Sequence, residues 1–196
     1  MAKKFYQEDL STRFRKFIGI YRDPNKTADS LRPEYQGDYS LLSLVHGGEA
    51  TISTGESQRL VIGSVGMGPC VAMAGYDSKQ KLGFISHNAI GDYVDALHDL
   101  VLKEIKKVSD SELEMDIYIV GGMEGSNGLA SKLRNIAKNR FNPKSINEDL
   151  ALKVSSWTYL GKSLLLDVRD GRVYSIDGGG KLQYVPPANP RISLRN

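Results

Sequence analysis

The chain has 196 residues, of which 40% are hydrophobic and 25% charged, as in globular proteins and unlike disordered or low-complexity chains. Its net charge of +3 is too small to imply nucleic acid as a partner. A single cysteine excludes an internal disulfide framework and a multi-cysteine zinc site, and the three histidines lie outside any metal-ligand pattern. We therefore expect a globular protein without metal, cofactor or nucleic-acid partner.

The sequence predicts neither a membrane helix nor a signal peptide. No apolar run approaches the roughly 18 residues that a membrane helix needs, and the first residues lack the apolar core of a signal peptide. We expect no membrane insertion and a cytoplasmic location by default. Secretion as an effector, by a machine that reads no such signal, stays open.

The N-terminal part, residues 1–58, is predicted to be an extension outside the main domain. Residues 1–38 alternate charged and aromatic side chains. One short amphipathic helix is predicted there, because apolar residues recur at helical spacing at Leu10, Phe14, Phe17 and Ile18.

Short apolar runs bounded by Gly, Pro or Asp-Ser turns predict eight strands, over residues 39–46, 59–65, 70–76, 81–87, 115–120, 150–157, 162–168 and 172–176. The polar turn at 77–80 predicts an antiparallel hairpin between the third and fourth of these strands. Asp170-Gly171 predicts a second tight hairpin.

Two longer helices are predicted between the strands. The first has apolar residues every three or four positions from Val94 to Val108, with an N-cap offered by Gly91-Asp92. The second begins at Ser126 and has one apolar face, formed by Leu129, Leu133, Ile136 and Ala137.

This order of elements does not alternate as βαβ units would. It predicts an α+β fold, a layered sandwich of mixed β-sheets flanked by helices. We place the core of the domain at residues 59–176 and expect the Gly- and Pro-rich residues 177–196 to form a loop or tail.

The only cysteine, Cys70, ends the glycine-rich segment 63–70, GSVGMGPC. The glycine spacing is not that of a dinucleotide fingerprint, and no Gly-Lys-Ser/Thr of a phosphate loop is present. What remains is a glycine turn that presents a cysteine at the start of a strand. Taken alone, this segment favours a buried structural cysteine.

The position of His87 adds support for a catalytic role of Cys70. It ends the next predicted strand, so the hairpin would place it beside Cys70. A Cys–His pair in contact is the minimum for thiol nucleophilic catalysis, and we expect such a pair to lower the pKa of the thiol. A half-buried strand histidine bonded to a backbone carbonyl is the equally open alternative. His98 is interpreted as a helix-boundary residue.

Together, these residues resemble the CheD family of chemoreceptor glutamine deamidases. The pattern G-x-G-P-C-V-A at 66–72, with G-x-x-x-H ending at His87, is similar to that family's cysteine loop and catalytic histidine. Downstream, the segments 119–123 and 161–173 resemble its Gly-Gly segment and its closing strand pair. The same catalytic fold is shared with deamidating toxins of the lethal-factor and cytotoxic-necrotizing-factor types.

The resemblance implies a site. Cys70 would be the nucleophile, His87 the base and Ser64 the third residue, in a position where the family has Thr. The substrate and oxyanion loops would include Gly66, Met67, Gly68, Gly121 and Gly122. The family usually has Ser before the cysteine, whereas this chain has Pro69, which has no N–H to offer an oxyanion.

The resemblance further implies a cysteine-dependent deamidase that hydrolyses a glutamine side-chain amide of a protein to glutamate and ammonia, with asparagine as the less favoured alternative side chain. The partner would be a chemoreceptor or another protein with an exposed Gln. Three alternatives stay open: a deamidating toxin or effector, a transglutaminase that uses the same thioester, and a non-catalytic binding module that retains the fold.

Overall fold

The computed structural model describes residues 42–45, 47–89, 93–123, 125–150, 162–176 and 182–185. The described residues form two helices, α1 (Val94–Val108) and α2 (Asn127–Arg140). They also form ten strands, β1 (Leu42–Val45), β2 (Glu49–Thr54), β3 (Val61–Met67), β4 (Val71–Asp77), β5 (Leu82–Asn88), β6 (Met115–Gly121), β7 (Pro143–Leu150), β8 (Lys162–Asp167), β9 (Arg172–Ile176) and β10 (Leu182–Tyr184).

The strands form two mixed sheets of five strands each. The outer sheet has the order β1-β3-β8-β9-β10, and the central sheet has the order β2-β5-β4-β6-β7. The pairs β1–β3 and β6–β7 are parallel, and the other neighbours are antiparallel. The predicted α+β class with mixed sheets and flanking helices is therefore confirmed.

The central sheet is the middle of three layers. One of its faces packs against the outer sheet, around buried residues such as Ile62, Ala72 and Ile85. Its other face packs against α1 and α2, around residues such as Phe84 and Ile117. Because both faces are covered, every residue of β4 and β5 is buried. This explains why their sequences are almost continuously apolar.

Both predicted helices and both predicted hairpins are present. At α1 the N-cap residue is Tyr93, whereas the expected Gly91-Asp92 lies outside the described residues. Ser126 occupies the N-cap of α2 as predicted, but its side chain does not cap the helix. In the β8–β9 hairpin, Gly171 has φ +74°, the left-handed conformation that such a turn favours.

Three strands were not predicted. β2 and β7 are rich in polar residues, and β10 falls in the segment 177–196, so the expectation of a loop there is wrong for Leu182–Tyr184. β1 and β2 lie before residue 59 yet pair with β3 and β5. The two sheets therefore extend beyond the predicted core at 59–176.

Other predictions fall partly or wholly outside the described residues. These are the helix around Leu10 to Ile18, most of the strand at 150–157, and both ends of the strand at 39–46, including His46. In the part of the chain that the structure describes, no helix is long and apolar enough to cross a membrane.

Candidate active site

The predicted catalytic residues come from three strands that meet between the two sheets. His87 lies near the end of β5, and Cys70 directly precedes β4, its hairpin partner. Ser64 lies on β3 of the outer sheet. Alternation along β5 directs His87, like Ile85, toward the outer sheet. The layered fold thus brings together residues that the hairpin alone could not.

Ser64 and His87 form a direct contact between the sheets. The Ser64 hydroxyl oxygen lies 2.9 Å from Nδ1 of His87. Ser64 is fully buried and His87 is 5% exposed, so water does not compete strongly for this hydrogen bond. The contact expected for the third residue of the site is confirmed.

A β-bulge in β3 sets the direction of the Ser64 and Met67 side chains. Ser64 pairs with Leu164 and Met67 pairs with Lys162, so β3 has one residue more than β8 between these pairs. A bulge of this kind re-aims the side chains that follow it. It allows Ser64 and Met67, three positions apart, both to point into the space between the sheets.

Cys70 lies on the same face of the central sheet as His87, but not directly opposite it. Ala72 is the residue opposite His87, and Cys70 is two positions before Ala72, which makes it a diagonal neighbour. The half-buried Cys70 side chain packs against the core between the sheets. Its thiol makes no hydrogen bond to any described residue, so Cys70 and His87 are not hydrogen-bonded in this structure.

The cause lies in the hairpin turn. The sequence places the turn at 77–80, which would set Cys70 opposite His87. In the structure, Asp77 still belongs to β4 and pairs with Leu82, so the turn occupies residues 78–81. Moving the turn by one residue shifts the register by two. A shift of two keeps Cys70 and His87 on one face and separates them along the ladder.

The electrostatic environment of the thiol also differs from the expectation. Partial burial raises the pKa of Cys70 above its ordinary value, because the thiolate would lose contact with water. The expected lowering by an adjacent imidazolium is wrong for this structure. At rest, Cys70 is therefore a thiol rather than one half of a thiolate–imidazolium pair.

The glycines of the predicted oxyanion loops use most of their N–H groups within the protein. Gly66 N–H donates to the Ser163 hydroxyl at 3.4 Å, and Gly68 N–H donates to the Gly66 carbonyl at 2.9 Å. Gly122 N–H donates to the Cys70 carbonyl at 2.8 Å. These three N–H groups stabilise the loop and are not offered to an oxyanion in this conformation.

Gly121 and Met67 pack beneath the cysteine. Gly121 has φ +108°, and a Cβ there would lie 2.9 Å from both the Cys70 carbonyl oxygen and Met67 Cβ. Only glycine lets the end of β6 approach the cysteine so closely. The Met67 side chain is fully buried and belongs to the core. Both residues therefore support the loop, and neither offers a side chain to a substrate.

A second Ser–His pair lies on the other face of β5. His98 of α1 is fully buried, and its Nδ1 lies 2.7 Å from the Val94 carbonyl oxygen, so Nδ1–H is the donor. Nε2 then accepts from the Ser86 hydroxyl at 3.0 Å. Burial lowers the pKa of His98 to about 4. His98 is a buried member of the core rather than the helix-boundary residue that was expected.

Two further features lie apart from this arrangement. A surface groove of about 710 Å³ opens at the far end of β5, beside Lys81, Glu56 and Val108, and contains none of the predicted site residues. Within the described ranges, no cluster of three His, Cys, Asp or Glu side chains could hold a metal ion.

Sequence reasoning did not identify two residues that contact the backbone around Cys70. Asn88 was not singled out, although it directly follows His87. Ser126 was assigned only as a helix cap, but its hydroxyl donates to the Pro69 carbonyl at 2.8 Å. No sequence pattern distinguishes a capping serine from one that binds a distant loop.

Comparison with models of known protein families found no match for this chain, and neither did comparison with curated proteins.

Proposed function

We propose that the protein is a cysteine-dependent deamidase that converts a glutamine side chain of another protein to glutamate. The buried hydrogen bond between Ser64 and His87 carries the proposal. It joins two residues that the resemblance named, from different sheets, on the face where Cys70 also lies. A chemoreceptor is the substrate that the resemblance suggests; an effector that deamidates another protein would use the same chemistry.

The arrangement supports a general-base mechanism. The proposed mechanism uses the tautomer in which Nδ1–H donates to the Ser64 oxygen, because Nε2 of His87 then carries the lone pair that accepts the thiol proton. As this proton leaves, Cys70 Sγ bonds to the amide carbon, and the C–N bond then breaks. His87 returns the proton to the departing ammonia. Water hydrolyses the thioester and regenerates the thiol.

The raised thiol pKa fits a proton transfer that accompanies attack. Because Cys70 is protonated at rest, its activation requires His87 to come into contact with it in the substrate complex. Catalytic hydrogen bonds are often long in free enzymes and shorten when substrate binds. A change of Cys70 rotamer is the smallest movement that would bring the diagonal neighbours together.

The state of Cys70 also favours one second candidate, a binding module without catalytic activity. A protonated, half-buried Cys70 that lacks a bond to His87 is also what a structural cysteine would show. Pro69 adds to this reading, because it cannot donate an N–H at the position before the cysteine.

Mass spectrometry separates the candidates. Proteins and peptides with exposed glutamines are incubated with the wild-type chain and with Cys70→Ala, and released ammonia is measured in parallel. A deamidase produces the mass increase of an amide-to-acid conversion at Gln, with equivalent ammonia, only with the wild type. Added primary amine appearing on the Gln would indicate a transglutaminase. Substrate that is retained by the chain but unchanged in mass would indicate a binding module.

A further inference from the structure

Three consecutive carbonyl groups around the cysteine accept hydrogen bonds from three different elements. The Pro69 carbonyl accepts from the Ser126 hydroxyl at the start of α2, at 2.8 Å. The Cys70 carbonyl accepts from Gly122 N–H after β6, at 2.8 Å. The Val71 carbonyl accepts from Asn88 Nδ2 at the end of β5, at 3.0 Å. The peptide planes on both sides of Cys70 are thereby fixed.

The bond from Ser126 to the Pro69 carbonyl sets the direction of the Cys70 N–H. The Pro69–Cys70 peptide is trans, so its N–H points away from its carbonyl. With that carbonyl held by Ser126, the N–H of Cys70 points away from α2. No described residue accepts a hydrogen bond from it. The other loop residues beside it offer no such donor, since Pro69 has no N–H and Gly66, Gly68 and Gly122 use theirs.

Ser126 and Asn88 each lack another favourable hydrogen bond in this arrangement. Ser126 is the N-cap residue of α2, yet its side chain makes no capping bond: its hydroxyl donates to the Pro69 carbonyl and accepts from Met123 N–H at 3.2 Å. Asn88 is 1% exposed, and its Nδ2 faces acceptors on Val71 and Ser86. Its Oδ1 is then left buried without a partner among the described residues, which is unfavourable for stability.

We infer that Ser126 and Asn88 are positioning residues that hold the Cys70 N–H as the oxyanion donor of the site. This rests on the proposed function. The Ser126 bond orients this donor and the Asn88 bond fixes the strand that follows it, which matters because Pro69 offers no N–H of its own. In the transition state, the amide oxygen would carry the negative charge beside this N–H, while Ser126 and Asn88 act only through the backbone.

Two reactions of Cys70 distinguish positioning from general stability. Acylation by 4-nitrophenyl acetate forms the Sγ–acyl bond through a tetrahedral oxyanion and expels 4-nitrophenolate, so it requires the oxyanion donor. Alkylation by iodoacetamide displaces iodide at a saturated carbon and forms no oxyanion. The ratio of the two rates therefore reports the donor separately from the state of the thiol.

The variants are Ser126→Ala and Asn88→Ala, with Ser126→Thr as the conservative rescue. Each has a matched control that loses a similar bond elsewhere. Ser53 donates to the Arg59 carbonyl at 2.6 Å, and Asn147 donates to the Ile117 carbonyl at 3.1 Å. Ser53→Ala and Asn147→Ala therefore remove a buried side-chain donor to a backbone carbonyl without touching residues 69–71.

We expect Ser126→Ala and Asn88→Ala to slow acylation by about 10- to 100-fold with alkylation unchanged, the effect of misplacing a group by about 1 Å. Ser126→Thr and the two controls should keep the wild-type ratio. An unchanged ratio in both alanine variants would overturn the inference, as would equal losses in both reactions. If the wild type acylates no faster than His87→Gln, the proposed function itself fails and the inference falls with it.

Discussion

The two faces of β5 each carry a buried serine–histidine hydrogen bond. On the face toward the outer sheet, Ser64 bonds to His87 at 2.9 Å; on the face toward the helices, Ser86 bonds to His98 at 3.0 Å. Ser86 and His87 are adjacent in sequence, so alternation alone sends them to opposite layers. The two pairs nearly coincide in distance and burial, yet they lie in different surroundings.

The surroundings decide what each histidine can do. His98 has both ring nitrogens bonded within the protein, to Val94 and Ser86, and packs edge-on against Phe84 and Phe141. His87 uses Nδ1 for Ser64 and lies on the face that also holds Cys70. A buried Ser–His bond by itself therefore does not mark an active site; the proposed site at His87 rests in addition on a cysteine on the same face.

The largest effect on stability that separates the two faces is its pH dependence through His98. Its pKa is about 4 in the folded protein and 6.5 in the unfolded chain, so the unfolded state binds the extra proton first as pH falls. The free energy of unfolding should therefore drop by about 3 kcal/mol between pH 6.5 and 4. Urea denaturation across this range measures it.

His98→Gln provides the control for that prediction, because glutamine does not titrate. Its free energy of unfolding should lose this component of the pH dependence. If the variant is too unstable to fold, the ring signals of His98 in the wild type can be followed by NMR instead. An imidazole that becomes protonated near pH 6.5 in the folded protein would contradict the account.

A smaller effect is expected from the serine on the other face. Ser64→Ala removes the hydroxyl that contacts Nδ1 of His87, so acylation of Cys70 by 4-nitrophenyl acetate should slow by about tenfold, or about 1.4 kcal/mol in activation free energy. Ser64→Thr keeps the hydroxyl and should retain most of the rate. Equal rates for wild type and Ser64→Ala would remove Ser64 from the site while leaving Cys70 and His87 in it.

The smallest effect concerns the thiol itself. Because burial raises the pKa of Cys70, the midpoint of its alkylation rate against pH should lie higher in the folded protein than in the urea-unfolded chain. The midpoint depends on ionisation and not on how easily the reagent reaches the thiol. A lower midpoint in the folded protein would instead indicate a thiolate–imidazolium pair already formed at rest.

Much of the fold could be predicted because apolar residues follow a regular pattern in the strands and helices that bury one face or both faces. The apolar runs of β4 and β5 and the helical spacing of α1 follow directly from their packing. β2 and β7 were not predicted because their buried positions include polar residues. Thr51, Ser53, Ser145 and Asn147 are all buried there and bonded to other protein groups.

The Ser64–His87 contact was predictable from the sequence, whereas the register that places Cys70 was not. The resemblance and the strand assignment sufficed to join Ser64 with His87. They could not give the exact turn, because the position of Asp77 depends on its side chain. Asp77 Oδ1 accepts from Lys79 N–H at 2.9 Å and from Gln80 N–H at 3.1 Å. That turn sets the register, and with it the separation of Cys70 from His87.

The most direct test of the central claim compares the two histidines in one reaction. Acylation of Cys70 by 4-nitrophenyl acetate is followed by intact mass in the wild type, His87→Gln and His98→Gln. General-base catalysis predicts a loss of about 10²- to 10⁴-fold for His87→Gln. The rate of His98→Gln should stay near that of the wild type at a pH where both are folded. Equal rates in all three proteins would show that neither face of β5 activates the cysteine, and would contradict the assignment of an active site at Cys70.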